Sequence, residues 1–496
     1  MSDNTPLTGS SLGVDGTVDN LWRRVSKKPV AAIFIHAGAG YHSPANERIH
    51  LEACHKAARI GMTLLKAGAS ATQAVEAAIR SLEDNEITNA GFGSNLNIEG
   101  IVECDATVVD HLGRSGACAA VAGVKNPISL AKKILDTSTQ PLSLRRVPPN
   151  LLVGSGATQF AKENGIETVL NPSLVSKNAE DRYLRWREDL KRAEARERAR
   201  KAKAAAVSSS IRRTPSPTPY DKAAHPSNAP EMRDHSTAIF TGTWNEGQPD
   251  SPDRSGSPSG GHDPSRTTDS AMSYDEGEAS SFEGGDDTDP GGPMKRRRID
   301  TEEEPPATDM ITDTVGAIAI DLQGHIAAGS SSGGIGMKHR GRAGPAALVG
   351  VGTAVVPTDP SDEEGISTAA VTSGTGEHMA TTMASAKCAE RLYHGTRRGP
   401  GGRDVPEPDE HAVLDSFVVN DFMNHPGVRG QPSSAAAIGV MAVKKDRHAA
   451  YFYFAHNTDS FALASMASTE REPLCVMSRL GKQGGVAQGG RRVKLG

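Results

Sequence analysis

From Ser208 to Asp309 the chain is dominated by Ser, Pro, Gly and Asp, and residues 244–293 hold almost no side chain worth burying. Ordering such a stretch costs backbone entropy that no apolar contact offsets. Any fold must therefore be assembled from the residues on either side. Composition agrees, since only 36% of the 496 residues are hydrophobic and 4% aromatic, low for a chain packed throughout. The sequence predicts a disordered N-terminus (1–28), the first part of an ordered domain (29–177), a long basic helix (178–207), a disordered linker (208–310) and the second part of the domain (311–496).

Both ordered parts have an α/β pattern. Val30 to Ile35 reads as a buried strand ending in a glycine turn at HAGAG, residues 36–40. Apolar residues at helical spacing follow over 47–66, and Gly68 can cap that helix. Ser70 with Gln73 forms a capping-box pattern at the start of a second helix. Residues 102–110 and 115–123 read as a hairpin in a covered sheet, and Asn126-Pro127 opens another helix. Beyond the linker, 314–321 and 325–332 form a second hairpin pattern. Helical patterns at 376–392 and 411–424 and strand-like runs at 435–443, 449–456 and 460–467 complete the order. The Gly/Pro/Arg-rich stretch 393–410 has no pattern of its own.

A net charge of −5 and a pI near 6.4 argue against a protein built to neutralise many phosphates. Two local basic runs stand out. Between Asp181 and Lys203 ten Lys/Arg accompany five Asp/Glu, the pattern of a solvated helix or of a surface for an import receptor or nucleic acid. MKRRRID at 294–300 fits a nuclear import signal or a solvated charge run. Five scattered cysteines without a CxxC suit neither a disulfide framework nor a zinc cluster, so no metal is expected. The opening residues lack the charged start and apolar stretch of a secretory signal. The expected setting is nucleus and cytoplasm, with no membrane contact and no sequence-specific nucleic acid.

The sharpest boundary lies where the linker gives way to the strand beginning at Thr314, directly after Asp313. A threonine opening a strand is ordinarily a β-branched residue in a sheet. At a chain terminus it becomes something else, because its own α-amine can serve as the base for its hydroxyl. That amine, with a reference pKa of about 7.7 to 8.0, is partly neutral near pH 7. The chemistry requires the Asp313–Thr314 bond to be cut, and a flexible linker ending there would let the new end move aside.

Six segments point the same way: HAGAGYHS (36–43), TNAGFGSNLN (88–97), ECDATVVD (103–110), DTVGAIAID (313–321), SSSGGIGMKHRGRAG (330–344) and TSGTGEHM (372–379). Together they resemble the plant-type asparaginase family, and more narrowly its threonine aspartase (taspase) branch. The resemblance implies a four-layer αββα sandwich of N-terminal nucleophile hydrolases, with the long basic helix and disordered insert before the nucleophile. It also implies self-cleavage before Thr314, giving two fragments that stay associated and pair into a dimer. It places Ser332 as a second hydroxyl beside Thr314, and Arg342 as the grip on a substrate aspartyl carboxylate. Ser373 and Gly374 fall at the oxyanion positions, and Gly376 lies in the same substrate-binding loop. No cofactor is implied.

One departure bears on substrate. Asparaginases and isoaspartyl peptidases of the family carry an aspartate three residues after the arginine to hold a free α-amino group, and this chain has Pro345 there. A proline side chain cannot hold an ammonium ion. That favours an internal aspartate in a polypeptide, hence a threonine endopeptidase. The alternatives are an asparaginase or isoaspartyl peptidase, or a nuclear interaction protein that is never cut.

Overall fold

The computed structural model describes residues 29–211, 314–431, 434–481 and 483–495, with backbone alone for 207–211. Residues 1–28 and 212–313, with the basic cluster at 294–300 and Asp313, lie outside the described residues.

Strand β1 (Ala32–Gly40) is buried at every position. It runs through the HAGAG segment instead of ending in a turn. The turn propensity of the glycines takes the form of a register shift between His36 and Ala39, with Gly38 at φ 109°. Helices α1 (Glu47–Lys66) and α2 (Ala71–Glu83) follow. The capping box at the start of α2 is formed: Gln73 N–H donates to Ser70 Oγ (3.4 Å) and Ser70 N–H to Gln73 Oε1 (2.9 Å). Next come β2 (Cys104–Val109), β3 (Ser115–Val121), α3 (Pro127–Ser138), β4 (Leu151–Val153), α4 (Gly154–Glu163) and the long α5 (Lys177–Ile211).

Past the linker, β5 (Val315–Ile320) and β6 (Ile326–Ser332) form the second hairpin. Then follow β7 (Thr353–Val356), β8 (Ser367–Gly374), α6 (Gly376–Thr382), α7 (Ala384–His394), the ribbon β9 (Thr396–Arg398) with β10 (Asp404–Pro406), and α8 (Glu410–Ser416). Strands β11 (Ile438–Lys445), β12 (Ala449–His456), β13 (Ser460–Ala467), β14 (Leu474–Arg479) and β15 (Ala487–Lys494) finish the chain. The 393–410 stretch is thus a small ribbon. Arg391, which holds Asp421 through Nε at 3.0 Å, also bonds to Asp404 at the start of β10.

Two sheets result. The first has the order β14-β13-β1-β5-β6-β2-β3-β4, and the second β15-β12-β11-β8-β7. β1 from before the linker lies between β13 and β5 from after it, so the two segments share one core. That core has three parts. Ile33, Ile35 and Ala317 on one face of the first sheet pack with Ala57 of α1 and Val75 and Ile79 of α2. Phe34, Ile318 and Ala328 on its other face pack with Val371, Met441 and Phe452 of the second sheet. The far face of the second sheet, through Ala370, Val440 and Ala442, packs with Cys388 and Leu392 of α7 and Val413 of α8. The alternation of side chains along β1 and β5 dictates this division. Each large side chain so enclosed contributes roughly 1.5–3 kcal/mol.

Candidate active site

Strand register decides which side chains meet where the sheets face each other, because residues paired across strands share a face. Well inside, Phe34, Ile318, Ala328 and Val109 form an apolar row across β1, β5, β6 and β2. Two residues toward the end of the sheet, the same row reads His36, Gly316, Ser330 and Thr107. Val315 faces Ser331, the last pair of that ladder, with Thr314 directly before it and Ser332 directly after, and Ser332 faces Asp105. The inter-sheet space therefore passes from hydrocarbon to hydroxyl and carboxyl groups toward the edge where Thr314 stands.

The second sheet meets this edge through Ser373. Its Oγ accepts hydrogen bonds from Thr314 N (3.2 Å) and Ala39 N (3.1 Å), and all three residues are buried. Gly374 follows at φ 145°, with the carbonyl of Ala437 only 2.2 Å from where a Cβ would sit, so a side chain is excluded there. Thr314 itself is 5% exposed.

Beyond Ser332 the chain turns tightly. Ser332 Oγ accepts from Gly334 N at 2.9 Å. Gly333 N–H donates to Asn89 O (2.7 Å), Asn89 Nδ2 donates to Gly334 O (2.8 Å), and the buried Lys338 Nζ donates to the carbonyls of Gly333 (2.9 Å) and Glu103 (2.6 Å). The NAGFGSNLN segment thereby fixes the loop leading to Arg342.

Arg342 lies beside this turn, its side chain 14% exposed. Its Nε and Nη2 both donate to Glu377 Oε1, at 3.0 and 2.8 Å. A Cβ on Gly334 or Gly344 would be 2.9 or 2.8 Å from Nη1, and one on Gly376 2.6 Å from Nη2. Three glycines thus make room for the guanidinium. Pro345 is buried, and its Cδ would be 2.9 Å from a Cβ on Gly376. The register and these contacts gather Thr314, Ser332, Ser373, Gly374, Arg342 and Gly376 along one edge, while Asp313 is outside the described residues.

Three groups at this edge received no role from sequence reasoning. His36 is fully buried, and a Cβ on Gly316 would lie 2.3 Å from its Nε2. Burial pulls its pKa down to about 3, with the backbone of Thr314 opposing, so the ring stays neutral. Neither ring nitrogen makes a hydrogen bond of good geometry. Asp105 is also fully buried. Its oxygens accept from Ala120 N (2.8 Å) and Gly344 N (2.7 Å), holding Ala120 at φ 46°. Burial raises its pKa, and Lys338, the two amides and Arg342 oppose that rise. A charge inside the buried run CDATVV demands such partners, and that was the available signal. Glu377 had none, because its partner is 35 residues away.

Among the described residues no group of three or more His, Cys, Asp or Glu side chains is placed to hold a metal ion. A cavity of about 520 Å³ lined by Pro44, Leu51, His55 and Cys475 includes none of the residues above.

A threonine opening an inner strand at the shared edge of two sheets, with hydroxyls on both sides, belongs with the N-terminal nucleophile hydrolases. The family model described as asparaginase matches residues 29–215 and 267–399, more than half of the chain. The chain belongs to this family, that of plant-type asparaginases and isoaspartyl peptidases. It is 38% identical over 159 residues to an isoaspartyl peptidase/L-asparaginase of Xenopus laevis, covering 32% of this chain and 48% of that protein. It is 39% identical over 162 residues to a plant-type L-asparaginase of Thermococcus kodakarensis (32% and 47%), and 40% over 162 to one of Pyrococcus horikoshii (32% and 48%). The aligned part of the chain spans about half the length of these curated relatives.

Proposed function

We propose that this protein is a threonine endopeptidase that activates itself by cutting between Asp313 and Thr314 and then cleaves other proteins after aspartate. The observation that carries the reading is the place of Thr314, directly before the Val315–Ser331 pair and with its nitrogen on Ser373 Oγ. In self-cleavage, Thr314 Oγ1 attacks the Asp313 carbonyl carbon, the peptide bond breaks, and the hydroxyl proton passes to the Thr314 nitrogen. Water then hydrolyses the ester, leaving an Asp313 carboxylate and a free Thr314 amine. That amine becomes the base for the next attack, on the carbonyl of a substrate aspartate. Ser373 and the Gly374 amide receive the oxyanion, a role worth about 10² to 10³ in turnover per donor. Arg342 receives the aspartyl carboxylate through charge-assisted hydrogen bonds.

The three core layers support the finer fold reading, a four-layer αββα sandwich. Pro345, buried against Gly376, supports a polypeptide substrate over one with a free α-amine. The paired fragments associating as a dimer, an import receptor as partner, and residence in nucleus and cytoplasm belong to the same proposal. Intact mass and N-terminal sequencing test it: two fragments, the second beginning at Thr314, are expected, and a single chain for Thr314→Ala. A wild-type chain that stays whole overturns it.

The names of the relatives favour a second reading, an asparaginase or isoaspartyl peptidase. Ammonia release from asparagine, compared with cleavage of an internal-aspartate peptide, separates the two.

A further inference from the structure

We propose that Glu377 is a positioning residue for carboxylate recognition, holding Arg342 by one edge so that the other fork stays turned toward the glycine-lined turn after Ser332. The inference rests on the reading of Arg342 as the group that grips the substrate aspartate.

A guanidinium presents two forks, a side edge of Nε with Nη2 and an end of Nη1 with Nη2. Glu377 Oε1 takes the side edge alone, at 3.0 and 2.8 Å. Among the described residues no acceptor is hydrogen-bonded to Nη1. That end of the group lies where Gly334 and Gly344 lack side chains, with Gly376 beside Nη2. Gly334 is the residue whose amide caps Ser332 Oγ, so the open fork borders the turn next to the nucleophile's neighbour. A long arginine arm has many rotamers, and holding it in place before binding removes that ordering cost from the binding step. Glu377 stands 54% exposed on the first turn of α6, where its own charge is screened by water. Its work is therefore orientation.

Calorimetric binding of N-acetyl-L-aspartate, which has no free amine, and the KM for an internal-aspartate peptide, both on self-cleaved protein, test this. Glu377→Ala is expected to weaken both by roughly tenfold, the scale of one immobilised long side chain, with kcat changed by less than about twofold. Glu377→Gln, which keeps an acceptor for the side edge, is expected to recover part of the loss. Unchanged binding overturns the inference, and so does tighter binding, which would make Glu377 a competitor of the substrate. Wild-type protein that binds N-acetyl-L-aspartate but cleaves no aspartyl peptide, with binding weakened in Glu377→Ala, ends the endopeptidase reading and leaves the inference standing. Wild-type protein that does not bind N-acetyl-L-aspartate overturns both the role of Arg342 and the inference.

Discussion

The backbone nitrogen of Thr314 and Ser373 Oγ lie 3.2 Å apart, so the residue directly before β5 in one sheet is tied to β8 in the other. The same hydroxyl accepts from Ala39 N, so one side chain satisfies two buried amides. Ser373→Ala leaves both amides without their acceptor, at roughly 1–3 kcal/mol each. The expected outcome is a lower midpoint in urea unfolding together with self-cleavage slowed by about 10² to 10³. A time course of intact mass reads the second effect, and a variant that cuts itself at the wild-type rate removes Ser373 from the chemistry.

Glu83 sets a pH dependence of stability. It is fully buried, its Oε1 accepts from Ser331 Oγ (2.6 Å) and Ile128 N (3.0 Å), and its Oε2 has no partner of good geometry. Burial pushes its pKa up from 4.5 to about 8, against the pull of those hydrogen bonds. The folded-state pKa lies above the unfolded one, so the folded form holds the proton more tightly. Its contribution is fully present below pH 4.5 and is lost as pH rises through about 8. Glu83→Gln keeps the oxygen that accepts both bonds and cannot ionise. Its melting temperature should fall less than that of the wild type between about pH 4.5 and 8, and parallel profiles would show that Glu83 is not the titrating group.

The residues show where reading from sequence works and where it stops. β1, β5, β11, β12 and β13 are runs of buried apolar residues, and the Ser70/Gln73 box is a local hydrogen-bond pattern, so composition and spacing carry them. β8, STAAVTSG, and β15, AQGGRRVK, are built of small, glycine or charged residues whose strand state comes from pairing with β11 and β12. At the site, the boundary before Thr314 is visible because composition changes there. His36 and Asp105 sit in segments that resemblance singled out, yet their function-like placement appears only once four strands are put in register. The Arg342–Glu377 pair joins a loop to a helix, and no local pattern announces it.

Arg342 should matter to substrate choice and not to self-cleavage. Arg342→Ala is expected to yield the same two fragments and to lose roughly 10- to 100-fold in kcat/KM on an aspartyl peptide, the scale of hydrogen bonds to a charged group. Cleavage of the matching asparaginyl peptide should change far less. Arg342→Lys offers a point charge without a fork and is not expected to restore the preference. Equal losses on both peptides would return Arg342 to a structural ion pair with Glu377.

The first turns of α5 are packed while residues 194–206 are exposed, and this difference can be measured. Trp186 is 3% exposed, and a Cβ on Gly336 would be 2.0 Å from its Cζ3. Arg182 donates to Asn95 Oδ1 (3.2 Å) and to Gly93 O (3.1 Å), and Tyr183 OH to Ile98 O (3.3 Å). These three side chains join α5 to residues 93–98 and to the glycine loop that leads to Arg342. Residues 194–206 are exposed throughout. Trp186→Ala should cost about 3–5 kcal/mol in urea unfolding and, by loosening residues 333–342, weaken aspartate binding as well. Arg196→Ala should change stability by less than about 0.5 kcal/mol. If the two substitutions prove equally mild, the indole is not a fixed support for the loop, and the placement of Arg342 depends on Glu377, the Asp105–Gly344 hydrogen bond and the Asn89 and Lys338 hydrogen bonds to residues 333 and 334.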